Sequence, residues 1–174
     1  HAQTNASTHK NYTMYYLKLP SGNFKEGLEL LREMVFFSTL DSKELEKEKE
    51  VVIEEINKNY DDSLDYAHDM LETNLFGKHS LAHFILGTKN NIRKLNRKQL
   101  LGFYHKYYLV NNCCVSLGGN VPSNYHNIIN EVLGKLKPQK IQFNFIDFKS
   151  LVEKPKIVCH PRKQEQISIV LGFP

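Results

Sequence analysis

The spacing of apolar residues predicts helices over much of the chain. In several segments apolar side chains recur every three or four residues, as along one face of a helix, and capping residues or glycines mark the ends. The predicted helices are Asn23 to Phe37, Asp41 to Asn59, Leu64 to Phe76, Asn96 to Tyr108 and Asn124 to Leu136. Asp41 or Ser42 can cap the second helix, and Gly77 is expected to end the third.

Other segments have the character of strands. Alternating side chains from Thr8 to Leu19 predict a strand with two apolar faces. Cys113 to Leu117 has the composition of a buried strand and is followed by two glycines. Two further strands, Ile157 to Cys159 and Gln166 to Leu171, are expected near the end. The order of these elements predicts an α+β fold with a mainly antiparallel sheet covered by helices. Residues 1–174 are expected to be part of a single domain.

The composition is that of a globular protein. Hydrophobic residues make up 41% and charged residues 24% of the 174, which excludes collagens and disordered chains. No apolar run reaches the roughly 20 residues that cross a bilayer, so no membrane partner is expected. Because the chain starts at His1 without a methionine, we expect that its N-terminus has been cut.

Charge and cysteine content exclude further classes. The net charge of +4 is scattered along the chain, so no nucleic-acid partner is expected. Three cysteines without a CxxC pair argue against a disulfide scaffold or a thiolate zinc site, and favour a reducing compartment, the cytoplasm or an organelle matrix. His79 and His83 have the spacing of a zinc-binding pair on a helix, but glycines on both sides disfavour a helix there, so a structural role is expected.

The charged run from Glu44 to Ile56 is the most informative segment. In one interpretation it is a solvated helix, stabilised by pairs of opposite charge four residues apart. A helical wheel favours a different interpretation, in which Glu48 and Glu55 fall in the apolar sector while Glu54 lies in solvent. Burying two carboxylates is costly unless a proton or a cation compensates their charge. A metal ion is one such cation.

Several segments, in this order, resemble the insulinase and pitrilysin family of zinc metallopeptidases, also called the mitochondrial processing peptidase type. The matching segments are Asn5 to Thr8, Tyr12 to Tyr16, Leu45 to Ile56, Gly87-Thr88, Phe103-Tyr104, Tyr107-Tyr108, Gly118 to Asn120 and the closing run Gln166 to Pro174. Each segment alone is a weak signal, whereas the ordered set covers almost the whole chain. The resemblance implies one half of a metallopeptidase, lacking its N-terminal portion.

The resemblance also implies a zinc site. In that family a His-x-x-Glu-His motif supplies two ligands and the catalytic Glu, and a distant Glu completes the site. Glu55 matches the distant ligand and Glu48 the supporting carboxylate seven residues earlier. The motif itself is absent, so this chain is expected to contain no catalytic residue and to be inactive alone. The expected function is that of a fragment of a zinc-dependent metalloendopeptidase. The alternative is a non-catalytic member that binds peptides or acts as a scaffold.

Substrate and partners follow from the same resemblance. It implies that Asn5, Ala6, Ser7 and Thr8 form a strand edge to which the backbone of a peptide or unfolded polypeptide adds. A second, homologous half or subunit would close over the first. Because unpaired edges attract other strands, self-association of the fragment through Ala2 to Tyr16 is expected.

Overall fold

The computed structural model describes residues 2–141, 156–163 and 165–173. The described elements are the strands β1 (Gln3–Thr8) and β2 (Thr13–Lys18) and the helices α1 (Phe24–Phe36), α2 (Ser42–Asp61), α3 (Ser63–Phe76), α4 (Lys89–Lys94), α5 (Arg97–Tyr107) and α6 (Tyr125–Leu133). The chain divides into two compact units. The first is His1–Ser42 with Asn96–Phe143, and the second is Lys43–Leu95 with Asn144–Pro174.

Local capping explains where the helices begin and end. The Asp62 carboxylate accepts hydrogen bonds from two backbone N–H groups of α3, and these bonds lower its pKa. Asn96 and Gln99 form a reciprocal capping box on α5, and Thr88 caps α4, a short helix that the sequence analysis missed. Gly77 ends α3 with a φ of 54°, as expected. The five predicted helices are therefore present, within one to three residues at each end.

The first unit opens with a hairpin. β1 and β2 pair antiparallel, with Gln3 opposite Lys18 and Thr8 opposite Thr13. In the connecting turn, the backbone N–H of His9 donates to the carbonyl of Tyr12 (2.8 Å), and the two rings stack. The strand predicted from Thr8 to Leu19 is therefore shorter in the structure: β2 occupies Thr13–Lys18, residues 9–12 form the turn, and Thr8 is the last residue of β1. The sequence of β1 is polar and lacks the apolar alternation that would predict a strand. Its backbone hydrogen bonds to β2 are what make it part of a sheet.

The core of the first unit lies between α1 and α6. Leu28, Val132 and Leu133 are buried there, and Val132 is 2% exposed. Gly27 lets α1 approach the end of β2, since a Cβ at this position would lie 2.4 Å from a methyl carbon of Leu19. α1 therefore packs against both α6 and β2, and a small apolar cluster lies between α1 and α6.

Side chains of α5 hold the end of α1. The Tyr104 hydroxyl donates to the carbonyl of Val35 (2.9 Å) and accepts from the backbone N–H of Ser38 (3.1 Å). About two turns earlier in α5, Arg97 donates to the carbonyl of Leu40 (2.6 Å), a residue with the unusual φ of 44°. The last carbonyls of a helix have no partners within the helix. Tyr104 and Arg97 therefore supply hydrogen bonds to backbone carbonyls at the end of α1 and in the loop that follows it.

In the second unit, aromatic contacts fix residues 156–163 to the helices. The Arg162 guanidinium lies 4.0 Å from the ring centroid of Tyr60 and 4.8 Å from that of Tyr66. The Tyr66 ring also meets His160 edge-on, at 6.0 Å between centroids. Cation–π contacts to two rings suit the planar guanidinium better than an ammonium. Arg162 therefore connects this segment to both α2 and α3.

Three predicted strands are corrected. Neither Cys113 to Leu117 nor the closing segments Ile157 to Cys159 and Gln166 to Leu171 pair in a sheet with other described residues. A strand needs a neighbour for its backbone groups, and none is provided within the described chain. The α+β class is nevertheless confirmed, with helices predominating over one antiparallel hairpin. None of the helices described here has both the length and the apolarity needed to cross a membrane.

Replacing Tyr104 by Phe should lower the free energy of unfolding by roughly 1 to 2 kcal/mol, because the part-buried Val35 carbonyl and Ser38 N–H lose their partner. Urea denaturation followed by circular dichroism measures the change. Tyr16→Phe is the matched control, since that side chain is 43% exposed and its loss should cost less than about 0.5 kcal/mol. Equal effects of the two substitutions would contradict the assignment.

Candidate functional site

Helix α2 carries the candidate metal ligand. Glu55 and Glu48 lie on this helix about 10 Å apart along its axis, and both are exposed, as is Glu54. Val51, between the two carboxylates, is 49% exposed. Glu48, Val51 and Glu55, spaced by three and four residues, thus form one accessible face, which we call the Glu48–Glu55 face.

The burial of α2 corrects the helical wheel. The buried residues of this helix are Ile53 (5% exposed) and Lys49 (9%), with Leu45 and Ile56 half-buried beside them. At about 100° per residue, Glu55 lies roughly 160° from Ile53, on the opposite side of the helix. The argument that buried carboxylates require a cation therefore fails. The assignment of Glu55 as a metal ligand then rests on the family resemblance and on the exposure of its carboxylate.

Lys49 explains why the wheel was misleading. Its side chain lies in the packed face of α2, and its Nζ donates to an Oε1 of Glu46 at 2.8 Å. A lysine can bury its methylene stem while keeping its charged end at a partner or in water. A charged residue in the sequence can thus occupy a packed position, and the neighbouring Val51 is left outside.

The surface next to Glu55 is acidic. A shallow depression of about 590 Å³ is lined by Glu55, Lys58, Asp61, Asp62 and Asp65, together with Asn59 and Leu86. The capping hydrogen bonds from the backbone N–H groups of Asp65 and Leu64 lower the pKa of Asp62, which favours its charged form. The depression disfavours anions. Its carboxylates are exposed and hydrated, so their charge needs no buried cation.

The residues present do not make a complete zinc site. No group of three His, Cys, Asp or Glu side chains with the geometry of a metal site occurs within the described residues, whereas zinc sites use three or four protein ligands. His79 accepts a hydrogen bond through its Nδ1 from the backbone N–H of Leu81 (3.2 Å), which caps a short helical turn. That bond agrees with the structural role expected for His79.

The candidate substrate residues lie in β1. Asn5 to Thr8 are exposed except for half-buried Ser7, and the strand has one edge on β2 and one edge without a described partner. The His9 N–H bonds across the turn, so by antiparallel alternation the N–H groups of Ser7 and Asn5 also face β2. Those of Thr4, Ala6 and Thr8 face the free edge. The Ala6 N–H is already bonded to the Oδ1 of Asn5 (2.8 Å).

Sequence reasoning missed a large cleft in the first unit. It has a volume of about 1210 Å³ and is lined by β2, by α1 and by Cys113 to Leu117. The hydroxyls of Tyr15 and Tyr108 lie 3.1 Å apart in its wall, and burial together with this contact raises the pKa of Tyr15. The sequence predicted a buried strand here, so no open space was expected.

Comparison with known proteins identifies the family. Residues 1–89 match the family described as Insulinase (Peptidase family M16), and residues 94–174 match the one described as Peptidase M16 inactive domain. The first match alone covers half of the chain. The chain belongs to the insulinase family, peptidase family M16. The predicted recognition is thereby confirmed.

Individual relatives of this M16 chain include zinc proteases and a subunit of the cytochrome b-c1 complex. It is 33% identical, over 98% of its length, to an uncharacterized zinc protease of Bacillus subtilis, YmxG, of which it covers 41%. It is 30% identical over 62% of its length to cytochrome b-c1 complex subunit 1 of Bos taurus, covering 22% of that protein. The first half of the periplasmic protease PqqL from Escherichia coli has a similar fold, with a TM-score of 0.73 at 23% identity. That match covers 82% of this chain and 31% of the other.

The chain therefore spans about two fifths of the first of these relatives. Some of these relatives are named zinc proteases, whereas others, such as the cytochrome b-c1 complex subunit, do not carry that name. Whether all 174 residues form part of one domain stays a prediction. The two family matches meet between residues 89 and 94.

The 174-residue chain alone should bind zinc weakly and should not cleave peptides, because a single carboxylate at Glu55 cannot replace a complete ligand set. Metal analysis after exhaustive dialysis and cleavage of a flexible fluorogenic peptide measure both properties. Stoichiometric zinc, or cleavage that a chelator abolishes, would contradict this expectation.

Proposed function

We propose that the chain is part of a zinc-dependent metalloendopeptidase that hydrolyses peptides or unfolded polypeptides. The M16 family match and the zinc-protease relative of Bacillus subtilis support the class of enzyme. The observation that carries the proposal for this chain is the Glu48–Glu55 face of α2, where two carboxylates point away from the packed side of the helix. Both can therefore reach a group that this chain does not itself supply.

Glu55 contributes one carboxylate oxygen ligand in this proposal, and Glu48 supports it from one face of the same helix. A carboxylate that joins histidines around zinc is a common composition of catalytic sites. Since the described residues do not complete such a site, the other ligands come from elsewhere in the whole protein. Glu54 has no role in the proposal, because it points to a different side of α2.

The proposed substrate edge is the free edge of β1. An extended peptide can add there as a further strand. Because the hydrogen bonds would join main-chain groups, peptides of many different sequences could bind. The alternation along β1 assigns the contacts to the backbone of Ala6 and Thr8, while Asn5 and Ser7 turn their backbone groups to β2. An incoming strand must displace the Asn5 side chain from the Ala6 N–H, so Asn5 regulates how readily this edge pairs.

The proposed partner is a second homologous half or subunit. The first half of the periplasmic protease PqqL and a chain of complex III2 from Candida albicans are among the proteins with a similar fold. The reducing compartment remains part of the proposal. All three cysteines are free and exposed, a state that persists in reducing compartments.

The alternative function is that of a non-catalytic M16 member that binds peptides or acts as a scaffold. The 30% identity to cytochrome b-c1 complex subunit 1 favours this candidate. Metal content of the purified whole protein separates the two functions. One zinc per chain that is lost with activity on chelation supports the enzyme, and a metal-free protein that still binds unfolded polypeptide supports the scaffold.

In the whole protein, Glu55→Gln should remove most of the zinc and reduce turnover by at least about 100-fold, because a neutral amide is a poor zinc ligand. Glu54→Gln is the matched control, since it makes the same change one residue away on another side of α2. It should leave metal content and turnover within about twofold. Equal losses in the two variants would reject Glu55 as the ligand.

The expected self-association through the N-terminal hairpin can be tested at the free edge. Thr4→Pro removes an outward N–H and should weaken association that uses β1, whereas Asn5→Ala frees the Ala6 N–H and should strengthen it. Sedimentation velocity at matched concentrations measures both. If both variants sediment like the unmodified chain, β1 is not an association edge.

A further inference from the structure

Leu40 has a backbone conformation that its side chain disfavours. Its φ of 44° lies in the left-handed region, and within the described chain no other residue apart from glycine has a positive φ. A leucine in this region is strained because its Cβ crowds the following carbonyl oxygen, whereas glycine has no Cβ and avoids the strain. Such strain persists only where neighbouring groups hold the backbone, so the φ of Leu40 indicates that contacts fix this position.

Arg97 makes the contacts that hold Leu40. Its Nε donates to the carbonyl of Leu40 (2.6 Å), and its Nη2 donates to the carbonyl of Thr39 (2.9 Å). An extended backbone points successive carbonyls to opposite sides, so the chain must turn at Leu40 for one planar guanidinium to bind both. Hydrogen bonds from a charged donor are stronger than those between neutral groups. These two bonds therefore offset the strain at Leu40.

α5 gives the Arg97 side chain a fixed base. Arg97 is the first residue of this helix, whose start is capped. From the same helix, the Tyr104 hydroxyl binds the Val35 carbonyl and the Ser38 N–H. Two side chains of one helix thus make four hydrogen bonds to the backbone of residues 35–40. The end of α1 and the strained residue after it are held as one piece.

The contact between Arg97 and Leu40 lies where the chain passes between the two units. Within the described residues, the chain leaves the first unit after Ser42 and returns to it after Leu95. Leu40 comes two residues before the first of these passages, and Arg97 comes two residues after the second. Both belong to the first unit. One side chain therefore fixes two connections at the point where each meets the first unit.

We propose that Arg97 is a positioning residue, which holds Leu40 in its strained conformation and so fixes the course of the chain where it enters α2. The functional part of this inference rests on the proposed function, in which β1 supplies the substrate edge and Glu55 supplies a zinc ligand. β1 belongs to the first unit and Glu55 to the second. Because a reacting group must be held in a fixed place, a loose connection between the two lowers turnover.

The strain is measured by comparing two substitutions of Leu40 in the 174-residue chain. Leu40→Gly should have an unfolding constant at least about threefold smaller than that of Leu40→Ala, because alanine carries the strain and glycine does not. At an ordinary φ the order is reversed, since glycine loses more conformational entropy on folding. Urea denaturation followed by circular dichroism measures both constants. Equal constants, or the reversed order, would overturn the proposal.

The same comparison, repeated together with Arg97→Ala, tests which residue holds this conformation. Without the guanidinium, residue 40 can adopt an ordinary φ, so the advantage of Leu40→Gly over Leu40→Ala should disappear. Lys98→Ala is the matched control, because it removes a neighbouring exposed cation from the same helix and should leave the advantage unchanged. An advantage that persists with Arg97→Ala, or one that vanishes with Lys98→Ala, would reject Arg97 as the residue that holds Leu40.

The positioning role is tested in the whole protein. Arg97→Ala should lower kcat for a flexible peptide at least about fivefold while zinc content stays unchanged, because the connection loosens and no ligand is altered. Arg97→Lys should not restore kcat, since an ammonium lacks the planar pair of donors. Unchanged turnover, or loss of zinc together with turnover, would overturn this role. A whole protein without zinc or turnover would reject the proposed function instead, and the denaturation results would still decide whether Arg97 holds Leu40.

Discussion

The burial of Ile53 and Lys49 is the constraint on which the candidate metal site depends. Once this side of α2 is packed, helical geometry fixes the direction of every other side chain on it. Glu48, Val51 and Glu55 then share an accessible face. A rotation of α2 by one residue would move both carboxylates about 100° around the axis, away from the face that is now accessible.

A second constraint acts on the extended segments, whose backbone groups need partners outside the segment. In the hairpin, pairing with β2 satisfies half of the groups of β1 and leaves the other half on a free edge. Asn5 covers one of the donors on that edge. Association and substrate binding would thus use the same backbone groups, and a side chain of the strand itself limits both.

Elsewhere, side chains on helices contact loop segments and bind the backbone carbonyls at helix ends. Tyr104 and Arg97 hold the exit of α1, and Arg162 fixes a C-terminal segment against two tyrosines. Residues 166–173 contact α3 on one side, through Ser168 at Ser63 and through Gly172 at Leu71 and Leu75.

The sequence by itself determined five of the six described helices, the α+β class and the family. Helix bonds and caps are local, so residues such as Asp62, Gly77 and Asn96 mark helix ends without knowledge of the rest of the fold. The family resemblance likewise needed only the order of short segments. Glu55 was named from this resemblance, and the structure adds its accessibility but not its ligands.

Only the tertiary structure decided which side of α2 is buried, which N–H groups of β1 are free and whether the later segments pair as strands. The sequence places Val51, Val52 and Ile53 in a row, and the run does not say which of them packs inward. Packing chose Ile53, together with the stem of Lys49. The physical reason is range: a helix closes its bonds within four residues, whereas burial and strand pairing require neighbours that are distant in the sequence.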